Sequence, residues 1–145
     1  MPQLAFRGEC RQAFEQYAKV LGGKITVMNK FGGNDAKLPP GSTASAPDRI
    51  RFAELRIGNS ATLGNDVPVD EYRPMQGFHI ALHVTTGDEA RSIFSALSQS
   101  GKIETPITEV AWSSAFGICT DRFGTSWLIL ALDKYRMVPR ATFQF

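Results

Sequence analysis

The chain has 145 residues, 43% hydrophobic and 21% charged, an ordinary globular composition that excludes a disordered chain. That length supports one domain with a sizeable core, held without a disulfide or a metal. A formal net charge of +2, from 16 Lys and Arg against 14 Asp and Glu, argues against nucleic acid as a partner.

The longest strongly apolar run, Trp127–Leu132, is too short to span a bilayer. Met1–Gly8 lacks the apolar stretch and cleavage site of a secretory signal. Cys10 and Cys119 are too few for a disulfide scaffold, and no His lies near them at zinc-site spacing. The expectation is a cytoplasmic protein with two reduced thiols and no membrane partner.

In chain order, Gln3–Phe6 reads as a short strand. Arg11–Leu21 follows as a helix, with Phe14, Tyr17, Ala18 and Leu21 at helical spacing and Gly22-Gly23 ending it. Ile25–Phe31 is a strand. Gly32–Asp48, rich in Gly and Pro, is a loop of about 17 residues, longer than most connections in a compact domain. Ile50–Ile57 and Ser60–Gly64 form a hairpin around Gly58-Asn59. Asp66–Gly77 connects to a second half. There, Phe78–Val84 is a strand and Asp88–Ser100 a helix with Ala90, Ile93, Phe94 and Leu97 on its buried stripe, capped by Gly101. Ile103–Val110 is an edge strand, because Pro106 interrupts it. Phe116–Thr120, a turn at Asp121–Gly124 and Ser126–Leu132 complete the half.

The two halves share their order of elements. Leu21-Gly22-Gly23-Lys24-Ile25 resembles Gln99-Ser100-Gly101-Lys102-Ile103, and Gly58 and Ser60 correspond to Gly124 and Ser126. The reading is a single domain over residues 1–132, built from modules at about 1–66 and 77–132, with a tail at 133–145. Its class is α+β: two βαβββ modules forming a curved mixed sheet around a central cleft.

The chain resembles the vicinal oxygen chelate superfamily, which includes glyoxalase I, extradiol dioxygenases and bleomycin-resistance proteins, and within it the PhnB-like branch. Gly8–Tyr17 with Val20–Lys24 looks like the branch's first helix, Ala53–Gly58 like its hairpin, and Asn65-Asp66-Val67-Pro68 like the segment that follows. Trp112, Phe116-Gly117 and Thr120–Trp127 look like its C-terminal signature. Some branch members carry a ubiquinone-methyltransferase label. No glycine-rich strand-to-helix turn of a nucleotide-type cofactor site supports it here.

Metal-dependent members place a His, Gln or Glu on the first and last strand of each half. By that resemblance His79 stands at one ligand position, while Pro2, Thr62 and Leu128 stand at the other three. A catalytic divalent site needs about three protein ligands, so no metal and no other cofactor is expected. A one-residue slip brings in Gln3, but turns it to the other face of its strand.

Alternation from those positions gives an expected ligand lining of Leu4, Phe6, Thr62, Gly64, His79, Ala81, His83, Leu128 and Leu130. His79 and His83 are about 13 Å apart along one strand, and each is a candidate base or a hydrogen-bonded histidine without chemistry. Glu54, on one face with Phe52 and Arg56, is a candidate cleft carboxylate or a solvated sheet residue. Trp112, Phe116, Phe123 and Trp127 either stack on a planar ligand or pack in the core, and packing is favoured. Two functions remain: a metal-independent binding protein for a small molecule, or a lyase- or isomerase-type enzyme using His79, His83 or Glu54 as acid and base, with or without a divalent metal. A third, an orphan dimeric domain, has protein as its partner. The resemblance implies a homodimer, and the apolar tail Lys134–Phe145 is expected near its interface.

Overall fold

The computed structural model describes residues 1–31 and 49–134. The long loop expected at Gly32–Asp48 and the tail beyond Lys134, with its expected interface role, lie outside them. The chain divides into two units, Met1–Pro74 and Met75–Phe145.

The first unit runs β1 (Gln3–Phe6), α1 (Cys10–Leu21), β2 (Lys24–Lys30), β3 (Ile50–Ile57) and β4 (Ser60–Asp66). Its sheet has the order β1-β4-β3-β2, with β1 parallel to β4 and the other pairs antiparallel. The second runs β5 (Ile80–Val84), α2 (Gly87–Ser98), β6 (Lys102–Val110), β7 (Ser113–Thr120) and β8 (Ser126–Ala131), in the order β5-β8-β7-β6. Each unit is thus a mixed four-stranded sheet with one helix on one face.

Helical periodicity makes α1 amphipathic, and Cys10, Ala13, Phe14 and Tyr17 are its buried residues. Phe14 meets Phe6 of β1 edge to face, with ring centroids 6.0 Å apart. The ring has room because residue 64 is glycine: a Cβ there would come within 2.5 Å of it. Gly22 ends the helix in the left-handed region, φ 69°, where glycine is unstrained. α2 begins at Thr86, whose hydroxyl accepts from the Glu89 amide at 3.2 Å. Its end differs from the expected Gly101 cap. Ser100 takes the left-handed conformation, φ 62°, and Gly101 is needed for a different reason, since a Cβ there would strike the Thr120 carbonyl. β6 is an edge strand, and its pairing with β7 shifts register three times around Glu104, Pro106 and Glu109.

Each unit is held from within by one buried carboxylate. Asp66, at the end of β4, accepts from the amides of Gly8 and Cys10 and, through its other oxygen, of Ile50. Asp121 accepts from the amides of Phe123 and Thr125 and from the Trp127 indole. Ser113 is fully buried and bridges the strand ends, its hydroxyl 2.7 Å from the Ala131 carbonyl. No helix among the described residues is long and apolar enough to cross a membrane.

Candidate functional site

A strand shows its two rows of side chains to opposite sides, and each helix here covers one side of its sheet. The side opposite the helix is therefore the one whose side chains are not committed to the core, and a candidate site is sought there.

In the second unit that side is set by register. Ile80, Leu82 and Val84 pair with Trp127, Ile129 and Ala131, and this row turns toward α2. The other row consists of Ala81 and His83, paired with Leu128 and Leu130, and these in turn stand opposite Ile118 and Phe116 of β7. His79 lies just before β5 on the same row. Leu128, Leu130, Phe116 and Ile118 are half-buried, while His79, Ala81 and His83 are exposed. Trp112 meets the Phe116 ring edge to face at 6.0 Å. Phe123 and Trp127 are instead buried in the core, 4% and 3% exposed, and offer no face to a planar ligand.

In the first unit the expected lining is corrected. Leu4 and Phe6 are buried on the side covered by α1. Gly64 pairs with Leu4 and abuts Phe14, and Thr62 pairs with the fully buried Leu55, so both belong to that covered side. The row opposite α1 holds Gln3, Ala5, Ala61, Leu63, Asn65, Phe52, Glu54 and Arg56. The reason is the corners. Two residues, Gly58-Asn59, join β3 to β4, whereas five, Asp121–Thr125, join β7 to β8. Matching Gly58 to Gly124 therefore slips the first unit by one residue and inverts its faces. By sheet register Leu63, opposite Gln3, is the counterpart of Leu128, opposite Ala81. The counterpart of His79 is then Met1 rather than Pro2.

Glu54 is the acidic centre of the first unit's row. Its Oε1 accepts from the Thr26 hydroxyl at 2.7 Å and from the Arg56 guanidinium at 3.1 Å, and its side chain is 18% exposed. A carboxylate already held by a cation and a hydroxyl suits ion pairing or orientation of a ligand more than proton abstraction. Gln3 donates to Asn65 on the same row at 3.3 Å.

The second unit carries a polar chain that sequence reasoning missed. His79 Nδ1 lies 3.2 Å from Ser126 Oγ, Ser126 Oγ lies 3.4 Å from Thr120 Oγ1, and Thr120 Oγ1 donates to Glu104 Oε1 at 3.3 Å. Alternation on β7 and β8 puts Thr120 and Ser126 in line with Ile118 and Leu128. That they meet His79 and Glu104, however, depends on a non-sequential strand order. Among the described residues, no three His, Cys, Asp or Glu side chains are grouped to hold a metal ion. Both thiols are buried and unpaired. Burial, reinforced by Asp66, pushes Cys10 up to about 12, and burial with Asp121 pushes Cys119 up to about 11, so neither is a ready nucleophile.

A family model described as 3-demethylubiquinone-9 3-methyltransferase matches residues 1–130. Protein YjdN of Escherichia coli (strain K12) is 30% identical over 135 residues, covering 88% of this chain and 91% of that protein. Among solved structures, protein PA1353 of Pseudomonas aeruginosa superposes with a TM-score of 0.79 at 35% identity, over 90% of this chain and 94% of that one. A structure described as a putative 3-demethylubiquinone-9 3-methyltransferase, PhnB protein, from Bacillus cereus gives 0.76 at 20% identity, over 90% and 97% of the two chains. A glyoxylase/bleomycin resistance protein/dioxygenase domain from Frankia sp. EAN1pec gives 0.58 at 14% identity, over 89% and 92%, a likeness of fold alone.

Proposed function

The chain belongs to the family described as 3-demethylubiquinone-9 3-methyltransferase, with the glyoxalase/bleomycin-resistance fold, and from that premise we propose that it is a metal-independent small-molecule-binding protein. The observation that carries this reading is the row of half-buried apolar side chains opposite α2, Phe116, Ile118, Leu128 and Leu130, bordered by His79 and His83. Apolar walls with a few polar groups are how small-molecule sites are commonly built. Metal independence rests on the donor set: Met1 stands where the first unit would need a counterpart of His79, and Leu63 and Leu128 occupy the corresponding positions of the two last strands. Methyl transfer is left aside, because Gly22-Gly23 close α1 rather than opening a helix against a phosphate.

A thermal-shift screen of substituted aromatic compounds tests the reading. Binders are expected to raise the melting temperature, and Leu130→Gln to weaken their binding at least tenfold while leaving the unliganded fold intact. A library without binders, or binding indifferent to Leu130→Gln, counts against it. A second reading, an enzyme with a histidine base, is favoured by one observation, the hydrogen bond between His79 and the nearly buried Ser126.

A further inference from the structure

We propose that Ser126, Thr120 and Glu104 lock His79 in the Nδ1–H tautomer, making its Nε2 a hydrogen-bond acceptor for a ligand that carries an O–H or N–H donor, such as a phenol, an enol or an N–H heterocycle. The direction of the chain follows from its carboxylate end. An ionised carboxylate only accepts, and each hydroxyl has one proton to give. The Thr120 hydroxyl gives its proton to Glu104, so its oxygen is left to accept from Ser126. Ser126 has then given its proton to Thr120 and must accept from His79 Nδ1, which therefore carries hydrogen. In the neutral ring Nε2 is the lone-pair nitrogen. Among the described residues no hydrogen bond reaches Nε2, and His79 is exposed beside the apolar row. Lys102 Nζ lies 4.0 Å from Glu104 Oε1, at the carboxylate end of the chain. The ligand class rests on the reading of this face as a binding surface, whereas the tautomer does not.

Nitrogen-15 NMR of the full chain decides the lock without any ligand. The protein has 2 histidines, so His83→Gln assigns the signals. At a pH where imidazoles are uncharged, His79 is expected to show a protonated Nδ1 and a bare Nε2. Thr120→Val removes the middle of the chain, and Glu104→Gln, on an exposed edge, replaces the acceptor with an amide that also donates. Both are expected to move His79 toward the Nε2–H form. A wild-type Nε2–H signal, or a tautomer unchanged in both variants, overturns the lock. Titration with phenol and its methyl ether, anisole, then tests the acceptor. Phenol is expected to bind at least tenfold more tightly, with the preference shrinking in Thr120→Val. Equal binding overturns the acceptor role alone, and binding of neither overturns it together with the reading of this face, while the NMR result stands on its own.

Discussion

Asp66 satisfies three backbone amides drawn from the entry to α1 and the start of β3, and it is 2% exposed. Hydrogen bonds to charged groups are among the stronger ones, and buried donors left without a partner are costly. Asp66→Ala is therefore expected to lower stability by about 3 kcal/mol, read from the urea midpoint. The thiols give a pH signature. In the unfolded chain they lose protons near 9.0, whereas folded Cys10 and Cys119 hold theirs to about 12 and about 11. Their contribution is complete below pH 9 and is lost as pH rises through those higher values. Between pH 8 and pH 11 the urea midpoint of the wild type should fall more than that of Cys119→Ala. An equal fall in the two would remove the thiol from the explanation.

At the scale of elements, helix and sheet meet through matched absences of side chain. Gly64 admits Phe14, and Gly117 admits Phe94 and the backbone of Ile107. Gly64→Val is expected to destabilise by about 2 kcal/mol through overpacking, and Phe14→Leu in the same chain should recover part of that loss. Additive losses in the double variant would show that the contact does not govern the cost. The helices were legible in the sequence because Phe14, Tyr17, Ile93, Phe94 and Leu97 recur with helical period and glycines follow each end. The faces of β1 were not. Alternation says that Leu4 and Phe6 share a side, but only packing against Phe14 decides which side that is. The polar chain from His79 to Glu104 was equally hidden, since its four members lie on or beside four strands whose spatial order is not their order in the chain.

At the scale of the whole molecule, the element order and strand order of the first unit recur in the second, yet the corners joining their last two strands differ in kind. The five residues at Asp121–Thr125 are held from within by one carboxylate, which takes two loop amides and the indole of the following strand. That corner can change in length while Asp121 and Trp127 keep β8 in phase. Among the described residues no carboxylate anchors the corner at Gly58-Asn59 in this way, and Ile57 pairs directly with Ser60. One extra residue there would rotate β4 by half a turn unless a bulge absorbed it. Leu63 would then be driven into the space that Gly64 leaves for Phe14. Length variation during divergence is thus unequally tolerated by the two halves: the second corner is a place where a family can lengthen, and the first is one where it must keep count.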